Sequence, residues 1–141
     1  MNSLAKMTWL SMGTALSGAM LASALYAADV KVTLAGDQEV PPVATSAAGS
    51  GTITVGDDKS VSGSVTTTGI TGTMAHIHTA AAGKNGPVAI PLTKSGDAGW
   101  AVAAGTKMTD DQYKAFKAGD LYVNVHSAAH PGGEIRGQLK P

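Results

Sequence analysis

The sequence predicts an all-β fold: an antiparallel sandwich or barrel of about eight short strands, with one short helix near residues 110–118. Three observations carry that reading. After residue 30, apolar and polar residues alternate with period two in short runs. Glycine, at 18 of 141 residues, and proline punctuate those runs, so the chain turns often. Hydrophobic residues reach 43% while aromatics are only 4%, so the core must be assembled from Val, Ile, Leu and Ala.

The first 27 residues read as a secretory signal peptide. Lys6 is the only charge before a stretch, residues 7–26, that has none. Ala22-Ser23-Ala24 supplies a small-x-small cleavage pattern, with cuts after Ala27 or Ala28 as alternatives, a window of 24 to 28. Ser11, Gly13, Thr14, Ser17, Gly18 and Ser23 dilute the run below what a membrane-spanning helix of roughly 20 apolar residues requires. The expectation is export to a periplasmic or secreted location, no membrane attachment after cleavage, and one mature domain over residues 28–141 without repeat or linker.

Within that domain Val30, Val32 and Leu34 alternate with Lys31 and Thr33, and Ile53 and Val55 with Thr52 and Thr54. Gly56-Asp57-Asp58-Lys59 then supplies turn chemistry before Val61, Gly63 and Val65 resume on one face, which predicts a hairpin. Further strands are expected at 73–78, 87–92, 99–103, 121–126 and 134–139, with loops such as Ala82-Gly83-Lys84-Asn85-Gly86-Pro87 between them. Thr109-Asp110-Asp111-Gln112 has capping-box spacing and opens the helix. Tyr113 and Phe116 share a face of it, Lys114 and Lys117 suit its C-terminal end, and Gly119 offers a left-handed stop.

Charge and cysteine content exclude several functions. The 10 Lys and Arg balance 10 Asp and Glu, and no window clusters the basic residues, so the counterion release that drives nucleic-acid binding has no source here. With no Cys, disulfides, thiolate metal sites and a cysteine nucleophile are ruled out. No G-x-S-x-G elbow is present, and no Ser or Asp sits beside a His in a way that indicates a triad. Only Glu134 beside a metal-bound water would offer a hydrolytic base, and nothing in the spacing requires it. An enzymatic role is the weaker expectation.

The four histidines are the informative residues. His76 and His78 lie two apart, and strand neighbours at that spacing share a face with Cα atoms roughly 6.5–7 Å apart. Ala75 and Ile77 then point into the core, and Met74, His76 and His78 away from it. In the strand at 121–126, Leu121, Val123 and Val125 point inward and Tyr122, Asn124 and His126 outward. If the two strands are neighbours, three imidazoles meet on one surface, an arrangement suited to Zn, Cu, Ni or Fe. His130, in a loop closed by Pro131-Gly132-Gly133, is a candidate fourth ligand, and the Met74 thioether would tilt the choice towards Cu(I). The expected site is therefore His76, His78, His126 and His130, with copper ahead of zinc. Glu134 is available either to a ligand's outer N–H or to a hydrogen-bonded network tying the final strand to its neighbours. Arg136, the only arginine, serves either to attract an anion or to tie the last strand into a hydrogen-bonded network.

Four segments stand out together: Leu34-Ala35-Gly36-Asp37-Gln38-Glu39-Val40-Pro41-Pro42-Val43; Ala75-His76-Ile77-His78; Gly83-Lys84-Asn85-Gly86-Pro87-Val88; and Tyr122-Val123-Asn124-Val125-His126 continuing to Pro131-Gly132-Gly133-Glu134-Ile135-Arg136-Gly137-Gln138-Leu139. In this order they resemble the CHRD domain, the module repeated in chordin and found singly in many exported bacterial proteins. One departure is Thr79-Ala80, where the family often places Gly-Pro after the second histidine. Chordin's antagonism of growth factors is not a property that a solitary module inherits with the fold. The His76, His78 and His126 pattern also resembles the copper ligands of copper/zinc superoxide dismutase, a resemblance that implies a Greek-key barrel. The dismutase zinc loop and its Cys pair have no counterpart here, so the analogy points to a mononuclear site rather than to dismutation. Two functions from different classes follow: an exported copper-binding domain for storage, buffering, delivery or redox work, and an adhesion or protein-interaction module whose histidines brace the fold.

Overall fold

A computed structural model describes residues 26–141; the expected signal segment lies outside these except for its last two positions. Eight strands form a closed antiparallel barrel: β1 (Ala27–Ala35), β2 (Ala48–Gly56), β3 (Val61–Thr68), β4 (Gly72–Thr79), β5 (Val88–Ser95), β6 (Gly99–Val102), β7 (Leu121–Ser127) and β8 (Ile135–Leu139). One α-helix, α1 (Asp110–Ala118), and a 3-10 turn at Gly36–Gln38 complete it. No described helix is long and apolar enough to cross a membrane.

Around the barrel the order is β1-β2-β3-β6-β5-β4-β7-β8. The connections β3 to β4 and β6 to β7 each pass over two strands, so β3-β6-β5-β4 and β6-β5-β4-β7 are overlapping Greek keys. The second crossover sets β7 directly against β4, although 41 residues separate Thr79 from Leu121. The expected hairpin is present, with Val55 opposite Val61 and Lys59 in the left-handed region at φ 68°.

The inward residues of the alternating strands, among them Leu34, Ile53, Val65, Ile77, Val123, Val125 and Ile135, fill the interior with Trp100. Helix α1 forms as expected from its ends: Thr109 Oγ1 accepts from Gln112 N at 3.2 Å, Gln112 Oε1 accepts from Thr109 N at 3.0 Å, and Gly119 closes the helix at φ 78°. Phe116 packs into the core from α1 with Met108 just before it.

Closure depends on β8 approaching β1. Ala35 pairs with Arg136, and a Cβ at Gly137 would overlap the Thr33 carbonyl oxygen. Gly137→Ala is accordingly expected to destabilise the barrel by about 3 kcal/mol, as overpacking against immobile backbone does. Urea unfolding measures it; an unchanged midpoint would contradict the closure described.

Candidate metal centre

Strands β4 and β7 pair antiparallel with His76 opposite Asn124, His78 opposite Tyr122 and Met74 opposite His126. Period-two alternation sends Ala75 and Ile77 into the core and leaves the histidines on the far face. His76, His78 and His126 thus converge, each with one ring nitrogen within 4.8 Å of the others. His76 Nδ1 and His126 Nε2 are 3.1 Å apart, and the three ring centroids are separated by 5.0 to 5.9 Å.

Two loop carbonyls orient two of these rings. Gly86 O accepts from His78 Nδ1 at 3.0 Å, and Pro131 O accepts from His126 Nδ1 at 2.9 Å. A carbonyl can only accept, so both rings carry their proton on Nδ1 and expose a lone pair on Nε2. His126 Nε2 uses that lone pair to accept from His76 Nδ1. His78 Nε2 is buried and has no hydrogen-bond partner. A buried polar atom without a partner is costly and calls for an explanation. A metal ion is one that the donor set fits. Ligand nitrogens at about 2.0–2.1 Å from an ion stand roughly 3.3–4.2 Å apart, so small ring rotations suffice. The set would be Nε2 of His78 and His126 with Nδ1 of His76, once His76 moves its proton to Nε2.

The surroundings differ from the open sheet face expected from alternation. Tyr122, Asn124 and His126 do point away from the barrel interior, yet all are buried, because the 36–47 segment and the 80–87 and 128–133 loops lie over them. Arg136 forms a fully buried ion pair with Glu39 at 3.1 Å, so its charge serves the network rather than an anion. Asn124 Nδ2 bridges Glu39 Oε1 and the Ile135 carbonyl. Glu39 has no role assigned from the sequence, where the visible signal is an acid directly before the apolar run Val40-Pro41-Pro42-Val43.

Glu134 and His130 are placed apart from the three converging histidines. Glu134 bonds no histidine; it accepts from Ser127 Oγ at 2.8 Å and Thr45 Oγ1 at 3.2 Å, clamping the ends of the 128–133 loop. The Gly86 and Pro131 carbonyls take the histidine N–H groups instead. His130 stands outside the trio and lines a separate cleft of about 540 Å³ with Pro41, Pro42 and Pro131. Met74 lies on the trio's side of β4 and is half exposed.

Burial holds the His76 imidazole below its ordinary value, and the neighbouring His126 adds to this. Burial likewise lowers His78, against the opposing effect of its bond to Gly86. An unfolded chain therefore takes up more protons than the folded one as pH falls through about 6.5, and stability present above that value is lost below it. Glu39, raised by burial despite Arg136, works in the opposite sense at lower pH. In chelator, the urea midpoint of the wild type is expected to fall more between about pH 7.5 and 5.5 than that of His76→Gln/His78→Gln, since Glu39 contributes equally to both. Parallel pH profiles would contradict it.

The CHRD domain family model matches residues 30–139. No curated protein and no solved structure matches the chain, so the dismutase comparison rests on the histidine pattern alone. Because the family match runs from β1 to β8 and encloses all three converging histidines, the chain belongs to the CHRD domain family.

Proposed function

We propose that this domain binds a single transition-metal ion through His76, His78 and His126, copper in preference to zinc, and works outside the cytoplasm in storing, buffering or delivering it. The observation that carries the reading is the buried, unpartnered Nε2 of His78 beside two other imidazole nitrogens. Neutral nitrogen donors bind Cu and Zn alike, and the preference for copper rests on Met74, a soft thioether on the same side of β4. Three protein ligands leave a coordination position for an incoming donor, which suits transfer of the ion. Export follows from the uncharged segment after Lys6.

A second reading, an adhesion or interaction module braced by its histidines, draws support from the 3.1 Å bond between His76 and His126, which satisfies two ring nitrogens without an ion. It leaves His78 Nε2 unexplained, and for that reason metal binding is preferred.

Calorimetry with Cu(II), Cu(I) and Zn(II) tests the proposal. One ion per chain at micromolar affinity or better is expected, lost by at least tenfold in His76→Ala and His126→Ala and unchanged in His130→Ala. Protons compete for the same lone pairs, so affinity is expected to decline as pH falls through about 6. Absence of binding, or binding indifferent to His76 and His126, would overturn it in favour of the bracing role.

A further inference from the structure

The turn between β4 and β5 reaches His78 by two routes. The Gly86 carbonyl accepts from His78 Nδ1, and the Gly86 N–H donates to Tyr122 Oη at 3.2 Å. The Tyr122 ring in turn lies parallel to His78, centroids 4.9 Å apart and planes within 2°. A Cβ at residue 86 would collide with the Thr79 carbonyl, so glycine alone lets this peptide come so near. The turn is held from outside. Arg136, stacked on Tyr122 at 4.0 Å, donates from Nη1 to Lys84 O at 2.9 Å and from Nη2 to Asn85 Oδ1 at 2.5 Å. Asn85 Nδ2 donates to Val40 O at 2.9 Å, joining the turn to the segment that covers the site. Asn85 is itself exposed and touches no histidine in this network, yet both ends of its amide are used.

We propose that Asn85 is a positioning residue for His78. By fastening the turn to Arg136 and Val40 it keeps the Gly86 carbonyl on Nδ1, which fixes the tautomer that leaves Nε2 bare towards His76 and His126. Which ring nitrogen carries the proton is set by the bond the other makes, and partners one step beyond a ligand typically change metal affinity about 10- to 100-fold. The consequence for affinity rests on the metal-binding reading above; the tautomer does not.

The test compares the full chain with Asn85→Ala and Tyr122→Phe, the latter keeping the stacked ring while removing the acceptor for Gly86 N–H. In metal-free protein near neutral pH, long-range 15N–1H correlation spectra are expected to show His78 as the Nδ1–H tautomer in the wild type and as a mixture in both variants. His126, held by Pro131 on the other loop, stays unchanged as the internal control. Cu(II) and Cu(I) affinities are expected to fall about tenfold in both variants, with a wild-type melting temperature for Asn85→Ala. A wild-type tautomer in Asn85→Ala, or a shifted tautomer with undiminished metal affinity, would overturn the inference. If the wild type itself binds no metal, the metal-binding reading falls, and the tautomer comparison still decides the role of Asn85.

Discussion

The buried contact between Glu39 and Arg136 is the constraint around which the site side of this barrel is arranged. Neither side chain has meaningful access to solvent, and a charge without its partner in such surroundings costs roughly 3–5 kcal/mol. The pair therefore forms or fails as a unit, and its formation requires three remote pieces of chain to be in place. Arg136 comes from β8, Glu39 from the segment after the 3-10 turn, and the carbonyl and amide oxygens that accept from the guanidinium Nη1 and Nη2 come from Lys84 and Asn85. Asn124 on β7 completes the enclosure by reaching Glu39 and β8 together. Burying these polar groups fixes where the covering segments lie, which apolar packing alone would do less specifically.

That arrangement divides the work at the histidine centre. Strands set the spacing: the pleat of β4 separates His76 and His78, and the pairing of β4 with β7 brings His126 against them. Loops set the chemistry, because each of two backbone carbonyls, Gly86 and Pro131, selects the protonated nitrogen of one ring. Two neighbouring residues of the C-terminal segment secure those loops separately. Arg136 holds the 80–87 loop, and Glu134 holds the 128–133 loop through Ser127. Desolvation disfavours the imidazolium form of His76 and His78, so the centre presents the neutral donors that metal coordination requires.

Much of the fold was legible because its signals are local. Alternation such as Val30-Lys31-Val32-Thr33-Leu34 depends only on which face of one strand meets the interior, and the Thr109 to Gln112 capping box closes within one helical turn. The histidine trio was half legible. Two-residue spacing put His76 and His78 on one face, while the arrival of His126 depended on a crossover that no local pattern encodes. His130 carries the same side chain in the same stretch, yet the loop's turn places it in a different cleft. The likeness to CHRD proteins marked Glu39, Asn85 and Arg136 as members of motifs without saying that they touch one another.

By itself, then, the sequence determined the strands, the helix ends, which residues face the core and which ligand types are available, since each of these follows from neighbours along the chain. Only the tertiary structure decided which strands pair, that Tyr122, Asn124 and Arg136 are covered rather than exposed, and which carbonyls orient the rings. The physical reason is that alternation reports burial against one surface, the barrel interior. A second, polar layer built from loops far apart in the chain buries the opposite face through hydrogen bonds and a charge pair, and those carry no period.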